Sequence, residues 1–107
     1  MEQDYVPANV SKGIEKVCDQ LSIELSVRKV ALLLCDLMSK NKVFANQETS
    51  EVAGGILSIA HEMGLRAGRV PKHLPDRMIA DVLGINATKI VFTRRITNTL
   101  ISGTKKT

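Results

Sequence analysis

A chain of 107 residues, of which 44% are hydrophobic and 24% charged, suffices for one folded domain, and this composition excludes a disordered chain. No apolar run reaches the roughly 20 residues of a membrane span, and three aromatic residues are too few for stacking on single-stranded nucleic acid. The net charge of +4 is uneven, since residues 1–65 carry six basic and nine acidic side chains whereas residues 66–107 carry nine and two.

The basic C-terminal part favours a polyanion as partner, most simply nucleic acid, and a merely solvated basic face is the alternative. The first residues, MEQDYVPANV, lack the basic-then-apolar pattern of a signal peptide. We therefore expect an intracellular protein with no membrane partner.

The first predicted helix covers residues 7–20 or 10–20, because apolar residues recur there at spacings of three and four. Pro7 suits the first turn of such a helix, where a missing N–H is harmless. Residues 21–25 are expected to form the turn to the next helix.

The second predicted helix covers residues 27–41 and takes Ser26 as its N-cap. It is apolar on more than one side, so we expect it to be well buried. Asn41 ends this helix, and the side chain of Phe44 in the following connection is expected to pack against the core.

The stretch of residues 47–63 contains the third predicted helix, which follows Thr49 or Ser50 as its N-cap and is expected to lie at the centre of the fold. Adjacent glycines inside a helix each cost about 0.5–1 kcal/mol relative to Ala. Gly54 and Gly55 therefore indicate that another backbone approaches this helix closely. The alternative is a helix that breaks at the glycine pair.

Residues 64–71 contain two glycines and a proline, which predict the end of the third helix and an exposed, mobile loop. This loop and its continuation carry Arg66, Arg69 and Lys72.

The last third of the chain predicts a helix-turn-helix. A short helix over residues 74–83 ends at Gly84, Asn86 caps a last helix over 87–102, and Gly103 ends that helix. The side chains of the short helix that we expect to face inward are Met78, Ile79, Val82 and Leu83.

No residue pattern favours catalysis, a metal or a cofactor. Cys18 and Cys35 lack a second ligand at metal-binding spacing and are expected to be buried free thiols. His61 and His73 are twelve residues apart without ligand partners beside them. No phosphate-cradling glycine loop or nucleophile–base pair is recognisable. We expect a protein that is not an enzyme and has no small-molecule substrate.

Two motifs resemble the cyclin-like repeat of the transcription factor IIB family, which includes archaeal transcription factor B, and its second repeat more than its first. VAGGILSIA at residues 52–60 is similar to the family's central helix, typically VAAAAIYIA. IADVLGINATKI at residues 79–90 is similar to its I-A-x-V-A-G-V-x-x-V-T-I segment. Five predicted helices and no convincing strand already predict an all-α orthogonal bundle over residues 1–103, with residues 104–107 as a flexible tail. The resemblance implies that this bundle is a cyclin box.

The resemblance further implies a transcription initiation factor domain that binds promoter DNA, TATA-binding protein and the RNA polymerase machinery. It would act in the nucleus of a eukaryote, or otherwise in the cytoplasm or nucleoid. The last helix would enter the major groove, with its first residues at base edges or phosphates and its later ones nearer the backbone. The expected DNA-binding residues are Asn86, Thr88, Lys89, Arg94 and Arg95, together with Arg66, Arg69 and Lys72 of the basic loop.

Departures from the family pattern favour phosphate binding over base reading. Val91 stands where the family usually has an Arg that can donate to guanine, and Thr88 replaces a valine. Gly54 and Gly55 replace alanines, and the basic loop is longer than the family's usual connection. The family's zinc ribbon and first repeat do not occur in this sequence, which leaves open a fragment of a longer factor or a small divergent relative.

A second function is a protein-binding adaptor that touches no DNA. Val91 and Phe92 fall off the apolar stripe of the last helix, and an exposed Phe often marks an interface. The competing expectation is that Phe92 packs under the basic loop. The exposed area of the Val91 and Phe92 side chains distinguishes an interface residue from one that is packed under the loop.

Overall fold

The structure, a computed structural model, describes residues 10–38, 47–70 and 72–105, with side chains through residue 99. These residues form five α-helices and no strand, so the expected all-α class is confirmed. The helices are α1 (Val10–Leu21), α2 (Leu25–Met38), α3 (Thr49–Arg66), α4 (Asp76–Leu83) and α5 (Ala87–Lys105). Pro7, Asn41 and Phe44, to which the sequence assigned structural roles, lie outside the described residues.

The helix α3 is the centre of the fold, and each of the other four helices packs against it. All residues from 52 to 60 are buried. A Cβ atom on Gly55 would lie 2.4 Å from Cγ2 of Thr93, and one on Gly54 would lie 2.9 Å from Cγ1 of Ile90. The helix is continuous through the glycine pair. These short distances show that α5 approaches closely where the glycines lack side chains, and the sequence predicted such a close neighbour.

The ends of α3 differ from the prediction. Thr49 and Ser50 lie inside the helix, and Glu48 occupies the cap position without a side-chain hydrogen bond. Gly64 does not end the helix but lies against α2, where a Cβ atom would be 3.0 Å from Cγ2 of Val27. The helix ends at Arg66, and Ala67 as its C-cap is followed by the left-handed residue Gly68. There the N–H groups of residues 68 and 69 donate to the carbonyls of residues 65 and 64 at 3.1 and 2.8 Å, as in a Schellman motif.

The helix α2 begins earlier and is less buried than predicted. Ser22 adopts a positive φ of 52°, so the chain reverses within three residues and Ser26 lies inside the helix instead of capping it. Leu33 and Leu37 are 57% and 61% exposed. The reason is the position of α2 at the edge of the bundle, where its main contacts among the described helices are with α1 and α3.

Of three further expectations near the C-terminal pair, one holds in part and two were wrong. The α3–α4 loop is exposed at residues 67–69, 72 and 73, as expected, but the buried Val70 anchors it to the core. Met78 is 42% exposed, while Ile79 is buried as expected. The helix α5 continues to Lys105 and does not end before Gly103.

Both cysteines are free, and only Cys18 is fully buried, since Cys35 is half-buried. Burial is the main cause that raises the pKa of each thiol. No helix of the described residues is long and apolar enough to cross a membrane.

Candidate nucleic-acid surface

The turn between α4 and α5 is fixed by two local features. Gly84 adopts a left-handed conformation with φ of 70°, and the N–H of Ile85 donates to the carbonyl of Ala80 at 3.0 Å. Asn86 then caps α5, because its side-chain oxygen accepts from the N–H of Thr88 at 3.0 Å and from the Thr88 hydroxyl at 2.7 Å. The glycine stop and the asparagine cap were both predicted from the sequence.

The outer face of α5 is polar and basic. Its exposed residues recur every three or four positions, while Ile90, Thr93 and Thr97 between them are fully buried against the core. The exposed residues are Thr88, Lys89, Phe92, Arg95, Asn98 and Thr99. Lys89 and Arg95 make no ion pair with any described residue, so both cations are available to a ligand.

Arg94 is used differently from the expectation. Its Nη1 lies 3.0 Å from Oδ2 of Asp76 and donates to the hydroxyl of Ser58 at 3.2 Å. Ser58 in turn donates to Oδ1 of Asp76 at 2.7 Å. This cluster of Ser58, Asp76 and Arg94 joins α3, α4 and α5 in a partly buried position. We therefore remove Arg94 from the candidate DNA contacts.

The basic residues Arg66, Arg69 and Lys72 make other contacts than those of the cavity beside Lys89, which is lined by Gln47, Glu51, Thr88, Lys89 and Phe92. Arg66 pairs with Glu62 at 2.7 Å, one helical turn earlier. Arg69 lines a groove between α2 and α3, and Lys72 lines a separate cavity beside His61. Arg69 and Lys72 are exposed, so the structure leaves them accessible but places them apart from the cavity beside Lys89.

Phe92 lies at the surface. Its side chain is 59% exposed, whereas Val91 is half-buried. Phe92 lines a cavity of about 420 Å³ with Lys89 and Thr88, and the far wall is formed by Gln47 and Glu51 at the start of α3. The expectation that Phe92 packs under the basic loop was therefore wrong.

Sequence reasoning missed the hydrogen bonds of the two buried threonines of α5. The hydroxyl of Thr93 donates to Oε1 of Gln47, which precedes α3, at 2.9 Å, and that of Thr97 donates to the carbonyl of Thr93 within α5 at 2.9 Å. The available signal was the spacing, because Thr93 and Thr97 continue the stripe that begins at Ile90. Every buried side-chain N or O atom of the described residues has a hydrogen-bond partner.

No group of three or more potential metal ligands occurs among residues 10–38, 47–70 and 72–105. No family model, curated protein or solved structure matches this chain.

Proposed function

We propose that this domain binds duplex DNA as a cyclin-like domain of a transcription initiation factor, with α4 and α5 acting as a helix-turn-helix. The observation that carries the proposal is the accessible outer face of α5, which begins at a capped N-terminus and presents Thr88, Lys89 and Arg95. The resemblance of residues 52–60 and 79–90 to the transcription factor IIB family supplies the partners, TATA-binding protein and RNA polymerase.

The mechanism is non-covalent. Lys89 and Arg95 neutralise phosphates, and the first turn of α5 adds the partial positive charge of its helix dipole. Asn86 is a positioning residue, because its side-chain oxygen is already committed to Thr88. Val91 is half-buried and apolar, so the proposed contacts fix the protein on the backbone rather than read a base at that position.

The test is the salt dependence of binding to a short duplex, measured by fluorescence anisotropy. Removal of one phosphate-binding cation should reduce the slope of log affinity against log salt by about 0.9. Lys89→Ala with Arg95→Ala should therefore reduce the slope by about 1.8. The matched control is Lys12→Ala with Lys16→Ala, which removes two exposed lysines from α1 and should leave the slope unchanged.

Equal slopes for the two double variants would refute the assignment of α5. A third variant, in which Arg66, Arg69 and Lys72 become Ala, asks whether the basic loop adds contacts outside α5. Supershift of a promoter duplex by TATA-binding protein, with and without this domain, tests the partner separately.

The adaptor function has its own support, the exposed Phe92 beside Glu51 and Lys89. It predicts that the domain captures a polymerase subunit, that Phe92→Ala abolishes this capture, and that the short duplex is not bound. Salt-dependent binding of the duplex without capture of a polymerase subunit would contradict the adaptor hypothesis.

A further inference from the structure

A second cavity lies on a different part of the surface, where the α1–α2 turn meets the α3–α4 loop. Its volume is about 400 Å³, which is in the range of small-molecule sites. His61 of α3 and His73 of the loop, twelve residues apart in sequence, both line it. The fold therefore brings the two histidines of the chain to one cavity, which their spacing did not indicate.

The walls of this cavity are mostly apolar. Leu21 is the last residue of α1, Ile23 comes from the turn, Leu74 from the loop and Met78 from α4. The partial exposure of Met78, unexpected for a core residue, follows from its place in this wall. A ligand that fills the space must therefore have an apolar body.

Five polar side chains line the cavity, namely Ser22, Glu24, His61, Lys72 and His73. His61, Lys72 and His73 carry nitrogen atoms that can donate hydrogen bonds, the hydroxyl of Ser22 can donate one, and Glu24 is the sole acidic residue of the lining. This excess of donors favours an anionic ligand. The exposed carboxylate of Glu24 disfavours a second negative charge, and so disfavours dianions such as phosphate esters.

We propose that this cavity binds a small monocarboxylate with an apolar body, whose carboxylate is held by His61, Lys72 and His73. The apolar body lies against Leu21, Ile23, Leu74 and Met78. A neutral molecule of the same shape lacks the charged hydrogen bonds, and inorganic phosphate lacks the apolar body.

Protonation supports the same ligand class. Burial, and secondarily the nearby His73, lowers the pKa of His61, so its imidazole is mostly neutral at pH 7. A bound carboxylate favours the protonated imidazole. Lys72, His73 and Glu24 are the other titratable side chains that line the cavity. Binding should therefore be accompanied by proton uptake at His61 and should strengthen as the pH falls from 8 to 6.

The experiment is a titration of the full chain with hexanoate, followed by NMR shifts of the imidazole protons. A dissociation constant on the order of 1 mM is expected for a ligand of this size. Hexanol and inorganic phosphate should each bind at least about tenfold more weakly. Binding of hexanoate should tighten between pH 8 and pH 6.

Lys72→Gln with His73→Gln should weaken hexanoate binding about tenfold, and His61→Gln should remove most of the pH dependence. Arg77→Gln is the control, because Arg77 is an exposed cation of α4 that does not line the cavity. Absence of hexanoate binding, equal binding of hexanol, or an unchanged affinity of the double variant would overturn the proposal. This cavity shares only Lys72 with the proposed DNA contacts, so DNA binding at Lys89 and Arg95 can fail without affecting it.

Discussion

Gly55 is the position where a single methyl group has the largest predicted effect. In Gly55→Ala the new Cβ would lie 2.4 Å from Cγ2 and 3.1 Å from the backbone carbonyl carbon of Thr93, so α5 itself must move. Overpacking of this kind costs about 1–3 kcal/mol, against a gain of about 0.5–1 kcal/mol in helix propensity. We expect Gly55→Ala to lower the free energy of unfolding, measured in urea, by about 1–2 kcal/mol.

Two other glycines provide graded controls for Gly55. At Gly54 the nearest atoms are the side-chain carbons of Ile90 at 2.9 and 3.1 Å, which can rotate away. At Gly13 the nearest atom is Cβ of Ala53 at 3.1 Å. The loss should decrease in the order Gly55, Gly54, Gly13, and an equal loss at all three would contradict close approach of α5.

The pair of Asp76 and Arg94 should contribute more to stability than a surface ion pair. Both side chains are mostly buried, and Ser58 completes their hydrogen bonds. In a double-mutant cycle of Asp76→Asn and Arg94→Gln, we expect a coupling energy of about 1–3 kcal/mol, since charged hydrogen bonds strengthen when shielded from water.

The internal control for this cycle is the exposed pair of Glu62 and Arg66, where about 0.3–0.5 kcal/mol is expected. Similar coupling in the two cycles would show that the cluster is solvated. A loss of DNA affinity in Arg94→Gln that Arg94→Lys restores, without change in stability, would return Arg94 to the DNA surface.

Between helices, the connection from α4 to α5 depends on Gly84 and Asn86. No atom lies within 4 Å of a Cβ built on Gly84, so the cost of Gly84→Ala comes only from its left-handed backbone, about 1–2 kcal/mol. Asn86→Ala should cost about 1 kcal/mol, because Thr88 loses its acceptor, whereas Asn86→Asp retains it. Thermal unfolding followed by circular dichroism measures all three variants, and an equal loss for Asn86→Asp and Asn86→Ala would contradict the cap.

Local features of the fold could be predicted from the sequence where they depend on residues close together in the chain. The Gly84 stop and the Asn86 cap are each decided by residues within about a turn. The central position of α3 was predictable because the propensity cost of Gly54 and Gly55 implied a close neighbour, although the sequence did not identify that neighbour as α5. Helix starts were less predictable, since Ser26 has the chemistry of a cap but Ser22 reverses the chain before it. Burial of α2 failed because an apolar helix at the edge of a bundle has the same pattern as a central one.

The candidate site was predictable in its location but not in its partners. Lys89 and Arg95 lie on the exposed face, as a helical repeat starting at Asn86 requires. Arg94 differs from Arg95 by about 100° around the helix, which turns it toward Asp76, 18 residues earlier in sequence. A contact between residues so far apart is a property of the tertiary structure. The same holds for the meeting of His61 and His73.

For the protein as a whole, stability should be centred on α3, which contacts all the other described helices. It cannot unfold without separating each neighbour from the core, so its amides should exchange only through global unfolding. The helix α4 has eight residues, and only Ile79 and Ala80 are buried. It should open in a separate, less costly step.

Native-state hydrogen exchange at rising urea concentration distinguishes these two events. The amides of residues 55–60 should share one opening free energy, equal to the free energy of unfolding measured by circular dichroism. That opening free energy should fall with urea concentration as steeply as in global unfolding. Amides of α4 should exchange at a free energy at least about 1 kcal/mol lower, with a smaller slope, because less surface is exposed. Gly55→Ala should lower the opening free energy of the α3 amides and leave that of the α4 amides nearly unchanged. Faster exchange in α3 than in α4 would show that α3 is not the structural centre, since a helix packed on all sides cannot open before one packed on a single face.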